Sequence, residues 1–435
     1  MNNADGWEEY SEFTEKEKEE NIERKRNNEK MIMQSPPMPK KIESIDKCQA
    51  IVLNKLIAVD CFRKNTNAKY HFLTHGHSDH CRGLNSKWNK TIYCTQKTAN
   101  IIPLIMGVPD ESFDKNLVHV LETNEIHKFE EFDVTVLDAN HCPGAVMYLF
   151  EGAAFPDGAV LCTGDFRADK DFLVRFEWME VFFKLRNTKL AAIYLDNTYL
   201  DFDRDFPEKE EAYKTLLQTC KDYDNMNVYI PLHRLGREEM LENLSKDLEE
   251  PIAMYDKKLA FASKLNYRFD FGEKRAGRNI VVVERSSWKI TELPEKSICF
   301  DISMINESLN AQVFEAGRAL HDRMFHISYT DHSSRAEILA FLQKLQFANV
   351  VPCSQRMSVE SMAAVMKLAK VKIDKKAVQS PVKKRLKVDE DVENSDEDKE
   401  EEEEEDKDDD VEMPEVTVNP KTIDELIESL QYRSK

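Results

Sequence analysis

The sequence lacks any run of apolar residues approaching the roughly 20 that a membrane-spanning helix needs, and its first residues are polar and acidic, unlike a signal peptide. It also lacks any CxxC pair, and its nine cysteines are an odd number scattered along the chain. This pattern indicates free thiols in a reducing compartment rather than a disulfide framework. These absences predict a soluble, intracellular protein that has no membrane partner.

The negative charge is concentrated towards the two ends of the sequence. The 435 residues carry a formal net charge of −20, but the stretch 389–415 alone holds 19 acidic residues against two lysines. Residues 1–30 add ten acidic residues against six basic ones, so the body of the chain is nearly neutral. Because steering of a charged partner depends on local potential, the bulk charge does not exclude a nucleic acid as the substrate.

Composition sets the two ends of the chain apart, and the alternation of strands and helices indicates an inserted segment between them. Its length exceeds that of one ordinary hydrophobic core, so one composite domain or two smaller domains are expected. Residues 1–44 predict a flexible charged arm, and residues 373–435 predict a disordered tail with a basic cluster and an acidic run. Between them we expect a core in two parts, 45–204 and 324–372, interrupted by an inserted α/β subdomain at 205–323.

Apolar runs predict the strands, and three- and four-residue apolar spacing predicts the helices. Strands are expected over 134–137, 145–150, 159–163, 190–195, 228–230, 325–329 and 350–351, and helices over 208–223, 237–249 and 334–345. The runs 145–150, 159–163 and 190–195 are apolar enough to be covered on both faces. Strands that alternate with helices after residue 205 indicate an α/β class.

The sharpest chemical signal is the segment His75–His80, which reads His-Gly-His-Ser-Asp-His and follows the apolar run Tyr70–Thr74. Three imidazoles and a carboxylate in a loop after a strand can serve two adjacent metal ions, because alternate side chains point to different sides. A surface loop rich in histidine is the alternative. A structural role seldom needs such a cluster.

Two later motifs each place one further potential ligand at the end of a predicted strand. His141 lies in Asn140–Gly144, and Asp165 lies in Thr163–Arg167. Loops at strand ends project functional side chains from a rigid sheet. Alone, each motif is weak evidence, since a single histidine is more often structural and a Gly-Asp pair is more often a turn.

Taken in order, these motifs resemble the metallo-β-lactamase hydrolases, and within them the β-CASP nucleases that act on DNA. The resemblance rests on Asp60, His75–His80, His141–Gly144, Thr163–Arg167, Leu195–Thr198 and Tyr329–Ser334. A turn at Leu235–Glu239 resembles the Apollo-type members, which belong with the Artemis-type DNA crosslink-repair nucleases. The resemblance runs from about Asp60 to Cys353 and implies an αββα metallo-β-lactamase sandwich in which residues 205–323 are the β-CASP insertion.

The resemblance implies a site for one or two metal ions. One ion would be held by His75, His77 and His141, the other by Asp79, His80 and His332, and Asp165 would bridge them. Zinc suits imidazole and carboxylate ligands, while Mn²⁺ or Mg²⁺ would tolerate the more oxygen-rich second position. Such an ion lowers the pKa of bound water toward ~7 and neutralises the charge that grows on a phosphodiester oxygen.

The same resemblance assigns catalytic roles to Asp79, His332, Asp60 and Asp196. Asp79 would orient the attacking water or move its proton, and His332 would act at the second metal position. Asp60 and Asp196 would accept ring N–H bonds from ligating histidines and so fix their tautomers. The alternative for these last two is an ordinary turn or helix-capping aspartate.

By resemblance the substrate is DNA with a free 5′ end. Members that process RNA usually carry a histidine where this chain has Val350-Val351, although a valine there can equally be plain core. Apollo-type members prefer a 5′ phosphate, which calls for an anion pocket beside the metals. Gly236-Arg237 and Ser333-Ser334, each at the start of a predicted helix, are the candidates for this substrate pocket, with helix capping as the alternative.

Other basic and aromatic residues are weaker candidates for contacts with nucleic acid. The basic ones are Arg167, Lys170, Arg234, Arg237, Lys274, Arg275 and Arg278, and the aromatic ones are Phe166, Tyr199 and Phe202. Solvated surface and buried core are the respective alternatives. The cluster Pro381–Val388 has the form of a nuclear-import signal, and 423–430 could form a short docking helix.

The resemblance, with the basic cluster, therefore implies a monomeric nuclear 5′-to-3′ DNA exonuclease that serves interstrand-crosslink repair, double-strand-break processing or telomere end processing. Its partners would be DNA with free 5′ ends and, through the tails, repair or telomere proteins. An RNA-processing β-CASP endonuclease and a catalytically silent chromatin scaffold remain open as alternatives. A small-molecule hydrolase is disfavoured, because in the family the insertion shapes a groove for nucleic acid.

Overall fold

The computed structural model describes residues 50–63, 66–202, 205–269, 278–304, 322–354 and 356–370. The arm expected at 1–44, the tail expected at 373–435 and the basic cluster Pro381–Val388 lie outside these residues, as does the predicted helix at 423–430. Among the described residues no helix combines the length and the apolar character that crossing a membrane requires. Their strands form three sheets.

The first sheet contains five strands in chain order. They are β1 (Ile51–Leu53), β2 (Ile57–Val59), β3 (Tyr70–Phe72), β4 (Ile92–Cys94) and β5 (Val118–Val120). β1 and β2 form an antiparallel pair, and β2 to β5 run parallel to one another. Each strand has only three residues, and β2 and β3 are buried along their whole length.

The second sheet contains six strands in the order β16-β10-β9-β8-β7-β6. They are β6 (Ile126–Lys128), β7 (Asp133–Asp138), β8 (Val146–Glu151), β9 (Ala159–Cys162), β10 (Lys189–Leu195) and β16 (Gln346–Pro352). Each neighbouring pair from β6 through β9 is antiparallel, whereas β9, β10 and β16 run parallel to one another. β8, β9 and β10 are buried on both faces, as their apolar composition predicted.

Eight α-helices lie in the described ranges. They are α1 (Gln96–Met106), α2 (Lys170–Trp178), α3 (Glu180–Asn187), α4 (Lys209–Asp222), α5 (Glu238–Leu248), α6 (Asp256–Lys264), α7 (Arg335–Gln343) and α8 (Val359–Met366). Short 3-10 turns occur at Asp110–Ser112, Lys115–Leu117 and Ile290–Glu292.

The first two sheets pack face to face between helices. Phe72 of β3 and Tyr148 of β8 belong to the apolar core that the two sheets share. The opposite face of the second sheet, represented by Leu161, packs with the helix residues Phe176 and Phe341. The opposite face of the first sheet packs against α1. These layers confirm the αββα sandwich of the metallo-β-lactamase fold.

The third sheet is parallel throughout and lies in the segment between β10 and β16. It has the order β12-β13-β11-β14-β15 and contains β11 (Asn227–Leu232), β12 (Ile252–Met254), β13 (Ile280–Glu284), β14 (Ser297–Ile302) and β15 (Met324–Ile327). Because β10 and β16 are hydrogen-bonded neighbours, the chain leaves the sandwich after β10 and returns to it at the neighbouring strand β16.

The expected start of the second core segment at residue 324 needs correction. Met324–Ile327 pairs with β14 over four residues, from Cys299 opposite Met324 to Ile302 opposite Ile327. This strand therefore completes the third sheet instead of returning to the sandwich. The five-segment division otherwise remains a proposal, with this boundary moved past Ile327.

Candidate metal centre

Most of the candidate site residues follow the carboxyl ends of buried strands. Asp60 comes directly after β2, and the segment His75–His80 begins three residues after β3. His141, Asp165 and Asp196 follow β7, β9 and β10, which run in the same direction within the second sheet. Parallel strands deliver their carboxyl ends to one edge, so residues far apart in sequence meet there.

Several loops of the site contain residues with a positive φ angle. Asp60 has a φ of 52° and Asn140 a φ of 54°, values that short polar side chains tolerate best among residues other than glycine. Gly164 has a φ of 52°, and a β-carbon there would lie 2.8 Å from Cβ of Thr74. Glycine is therefore required where the Asp165 loop crosses the loop that carries the histidines.

Three imidazole nitrogens converge at the centre of the site. Nδ1 of His77 lies 3.0 Å from Nε2 of His75 and 3.1 Å from Nε2 of His141. Lone pairs that face one another at this spacing are unfavourable unless a proton or a cation lies between them. A shared cation satisfies all three rings together.

Asp165 links these rings to two further histidines. Its Oδ2 atom lies 3.3 Å from Nε2 of His80, 3.6 Å from His75, 3.7 Å from His141 and 3.9 Å from His332. The carboxylate is buried, so its charge acts on the neighbouring rings with little screening by solvent. This central position fits the bridging role that the family resemblance implies for Asp165, and that role stays a prediction.

The donors fit a divalent ion. Nε2 of His80 and Oδ1 of Asp165 are buried and have no hydrogen-bond partner among the described residues, although buried polar atoms are normally satisfied. Three groups of side chains place their ligand atoms within 4.8 Å of one another: His75, His77, His141 and Cys142; His75, His80 and Asp165; His141, Asp165 and His332. Imidazole and carboxylate donors at this density are typical of sites for zinc and related metals.

The Nδ1 atoms of His80 and His332 are held by hydrogen bonds to carboxylates. Nδ1 of His80 lies 2.7 Å from Oδ2 of Asp60, and Nδ1 of His332 lies 2.8 Å from Oδ2 of Asp196. These contacts support the roles expected for Asp60 and Asp196, which stay predictions. Since a carboxylate can only accept, each ring must donate from Nδ1 and turn Nε2 towards the centre.

Asp79 lies at the margin of the cluster. Its Oδ2 atom is 3.9 Å from Nε2 of His80, and its side chain is 45% exposed. It belongs to none of the close ligand groups. Its assignment as a ligand and as a guide for water therefore stays a prediction, and its exposure suits the second task better.

Burial and charge move the histidine pKa values in opposite directions. Burial, with the neighbouring imidazoles, lowers the pKa of His75 and His141 well below the ordinary value, so both rings are neutral. Burial acts in the same direction on His332, but Asp196 and Asp165 outweigh it and raise the pKa of His332 to about 9. Asp165 and Asp60 likewise raise the pKa of His80.

The structure corrects the expected anion pocket at Ser333-Ser334. Both residues are buried, and the backbone N–H of Ser333 donates to the carbonyl of Phe166 at 3.0 Å. The Ser334 hydroxyl accepts from the N–H of Glu337, whose carboxylate accepts from the N–H of Ser334 at 2.7 Å. This is a capping box, so the backbone N–H donors of the two serines are already used.

Of the pair Gly236-Arg237, only the arginine keeps a free donor. The N–H of Gly236 donates to both carboxylate oxygens of Glu238, at 2.9 and 3.0 Å. The guanidinium of Arg237 bonds to Asp331 and lies over the Tyr329 ring, while its Nε atom has no hydrogen-bond partner within the described residues. The N–H of Gly236 therefore already has a partner, and the substrate role of Gly236 stays a prediction.

Several weaker candidates are structural. Arg167 is fully buried and donates to the carbonyls of Thr330 and Pro207, which holds the segment that leads to His332. Phe166 is also buried, and Arg278 is paired with Glu250. Lys274 and Arg275 lie outside the described residues.

Tyr199 is an aromatic candidate that does lie beside the site. Its ring centroid is 6.0 Å from that of His332, and Phe202 and Phe206 pack against it. Tyr199 is partly exposed. It therefore remains a candidate for contact with a base.

Sequence reasoning missed two supports of the site. The hydroxyl of Thr74 donates to Asp60 at 2.7 Å and lies 3.0 Å from Nδ1 of His75, a role that its position just before the histidine motif could have indicated. The backbone carbonyl of Asp331 accepts from Nδ1 of His141 at 2.8 Å. No side-chain pattern reveals a carbonyl contact of that kind.

Comparison with known proteins places these features in one family. Residues 274–358 match the family described as DNA repair metallo-beta-lactamase. The chain is 30% identical over 306 residues to the protein named 5′ exonuclease Apollo of Rattus norvegicus, covering 68% of this chain and 53% of that one. This chain thus spans about half the length of that relative.

Proteins named for crosslink repair also match. Identity to the DNA cross-link repair protein pso2/snm1 of Schizosaccharomyces pombe is 31% over 221 residues, covering 48% of this chain and 37% of that one. Identity to the DNA cross-link repair protein SNM1 of Arabidopsis thaliana is 26% over 330 residues, covering 68% and 63%.

Proposed function

The chain belongs to the DNA repair metallo-β-lactamase family, whose fold implies a divalent metal, and from this premise we propose that it is a metal-dependent 5′-to-3′ DNA exonuclease that prefers 5′-phosphate ends. The observation that carries the proposal is the convergence of the rings of His75, His77 and His141 beside Asp165. The names of the relatives support DNA as the polymer and the 5′ end as the point of attack.

We propose His75, His77, His141, His80, His332 and Asp165 as the metal ligands, with Asp79 at the edge of the second position. Zinc fits the nitrogen-rich half of the site, and Mn²⁺ or Mg²⁺ would suit the more oxygen-rich half. A bound ion supplies Lewis-acid chemistry, which activates water and neutralises charge on the phosphodiester.

The protein's own groups orient the reaction. Asp60 and Asp196 fix the tautomers of His80 and His332, so that Nε2 of each ring faces Asp165. Asp79 is exposed towards solvent and lies close enough to His80 to hold a water at the edge of the site. None of these steps requires a serine or cysteine nucleophile.

The recognition of the 5′ end is assigned to Arg237 in place of the serine pair. Its guanidinium carries a permanent positive charge and lies beside the segment that leads to His332. Its Nε–H is buried and has no hydrogen-bond partner among the described residues, so a phosphate oxygen that enters beside this arginine would supply the missing acceptor. Val350 is buried in β16, so its part in the choice of DNA over RNA rests on family likeness alone.

End-labelled digestion tests polymer, polarity and end chemistry together. Single- and double-stranded DNA with a 5′ phosphate or a 5′ hydroxyl, and RNA of the same sequence, are incubated with the zinc-loaded protein. We expect DNA labelled at its 3′ end to shorten progressively, with the 5′-phosphate substrate digested fastest. Internal cutting of RNA with DNA ends spared would select the RNA endonuclease instead.

Two variants control this experiment. Asp165→Asn removes the central charge and should abolish digestion while circular dichroism remains that of the wild type. Glu210→Gln removes one partner of an exposed ion pair on α4 and should digest DNA normally. A folded wild-type protein that carries zinc and degrades none of the DNA substrates would rule out the proposal and favour a non-catalytic scaffold.

We further propose that the protein acts in the nucleus, in crosslink repair or in the processing of chromosome ends. The family of its relatives and the basic sequence at Pro381–Val388 support this location. Repair or telomere proteins that bind the terminal segments, and a monomeric state, belong to the same proposal.

A further inference from the structure

A fully buried ion pair lies in the inserted subdomain, on helices that carry none of the candidate ligands. Nζ of Lys258 in α6 is 2.6 Å from Oε1 of Glu238 in α5, and both side chains have 0% exposure. Removing two charges from water is costly, and apolar side chains of similar size would often serve stability as well. The pair therefore calls for an explanation beyond the packing of the two helices.

The remaining hydrogen bonds of both charges go to one residue, Gly236. Nζ of Lys258 donates to the carbonyl of Gly236 at 2.5 Å, and the N–H of Gly236 donates to the Glu238 carboxylate. Both backbone polar groups of Gly236, the N–H and the carbonyl, are therefore hydrogen-bonded to the ion pair. The pair fixes the conformation of the turn Leu235–Arg237.

That turn has a strained backbone. Gly236 has a φ of 102° and Arg237 a φ of 70°, so two consecutive residues lie in the left-handed region. The conformation is unfavourable for an arginine and persists only where neighbouring groups hold it. Among the described residues, the groups that hydrogen-bond to the backbone of Gly236 are Glu238 and Lys258.

The turn lies close to the metal centre at two places. A β-carbon at Gly236 would lie 3.8 Å from Nε2 of His77, and one at Gly76 would lie 3.2 Å from the Leu235 side chain. Arg237 bonds to the carboxylate of Asp331, whose carbonyl accepts from Nδ1 of His141. The same turn therefore lies beside His77 and is linked to His141 through Asp331.

We propose that Glu238 and Lys258 form a positioning pair through which the inserted subdomain sets the geometry of the metal centre. Neither side chain touches the reacting atoms. Together they hold the Leu235–Arg237 turn against the loop of His75 and His77 and keep Arg237 on Asp331. The inference rests on the proposed function only in taking these histidines as metal ligands.

Zinc affinity, measured by competition with a chromophoric chelator, tests the pair without any need for nuclease activity. Lys258→Met leaves Glu238 buried and unpaired, and should lower both zinc affinity and resistance of the metal-free protein to urea. The double variant Glu238→Gln, Lys258→Met removes both charges and should recover most of that resistance. Because the introduced methionine cannot donate to Gly236, the zinc affinity of the double variant should stay about ten- to a hundredfold below that of the wild type.

A matched control comes from α5 itself. Nζ of Lys246 is 3.0 Å from Oε2 of Glu242 in a pair one helical turn apart, in which the lysine side chain is 63% exposed and the glutamate 22%. The double variant Glu242→Gln, Lys246→Met removes the same groups and should bind zinc like the wild type. The comparison separates a specific effect of the buried pair from the general effect of losing a pair of charges on this helix.

Full recovery of zinc affinity in the buried double variant would overturn the inference, since the pair would then matter for stability alone. That double variant carries the test even if Lys258→Met does not fold, because it contains no unpaired buried charge. A wild-type protein that binds zinc but cuts no DNA would defeat the proposed function and leave this inference standing. Normal DNA digestion by the wild type, together with unchanged zinc affinity in the variants of the buried pair, would defeat this inference and leave the proposed function standing.

Discussion

The charge of Asp165 affects the protonation of the neighbouring side chains of His80 and His332. Burial by itself would raise the pKa of this carboxyl, but His80 and His332 outweigh burial and lower it well below its usual range. In return, the charge of Asp165 helps to keep His80 and His332 protonated in the metal-free protein. Binding of a cation must therefore release protons, which couples metal affinity to pH.

The stability of the metal-free protein should depend on pH through His332. Its pKa rises from 6.5 to about 9 on folding, so its contribution is complete below pH 6.5 and is lost as the pH rises through 9. We expect the difference in free energy of unfolding between the wild type and His332→Asn to shrink across this window. Urea unfolding with chelator at pH 6, 7.5 and 9.5 measures it, and a difference that does not vary with pH would refute the assignment.

Asp60→Asn should weaken metal binding while the protein stays folded. Asparagine tolerates the φ of 52° at this position, but its amide can donate to Nδ1 of His80 and so favour the wrong tautomer. Loss of such a supporting carboxylate typically costs about 10- to 100-fold in metal affinity. Zinc titration measures the effect, with Glu210→Gln as the control, and wild-type affinity in Asp60→Asn would contradict the role of Asp60.

Most of the elements predicted from sequence have a long apolar pattern, although β13 and β14, which share it, were not predicted. The strands β7 to β10 and helices α4, α5 and α7 were expected within about two residues of their observed ends, because their burial requires that pattern. The first sheet was largely missed, since its strands have three residues each and provide too little periodicity. Helix α1 was missed because Pro103 lies inside it, where proline is normally unfavourable.

Ser334→Ala should act on helix α7 and leave substrate binding unchanged. The capping box of Ser334 and Glu337 closes the first turn of this helix, so its loss should cost about 1 kcal/mol of stability. Urea unfolding and the KM for 5′-phosphorylated DNA, measured on the same preparation, distinguish the two roles. A higher KM with unchanged stability would restore Ser334 to the substrate pocket.

The path of the whole chain explains why the site is assembled from distant segments. The insertion leaves after β10 and returns at the adjacent strand β16, so His332 comes back to the edge that carries Asp165 and Asp196. The individual histidines could be recognised in the sequence, but their convergence was predictable only through the family resemblance. Local patterns contain no information about which loops meet, and the supports from Lys258 and the Asp331 carbonyl were invisible for that reason.

Nuclear import should depend on the basic cluster near the end of the sequence. Replacement of Lys383, Lys384, Arg385 and Lys387 by alanine removes the positive charges of the cluster and leaves the described residues unchanged. A fluorescent fusion should then shift from the nucleus to the cytoplasm, while the purified variant digests DNA like the wild type. Unchanged nuclear accumulation would show that another segment directs import.

The central claim is that a divalent ion held around Asp165 is required for cleavage of DNA. The most direct test is to measure bound metal and digestion of 5′-phosphorylated DNA on one preparation before chelation, after chelation and after addition of zinc. We predict that metal content and digestion are lost together and return together, and that Asp165→Ala recovers neither. Digestion that persists in the metal-free protein would contradict the account.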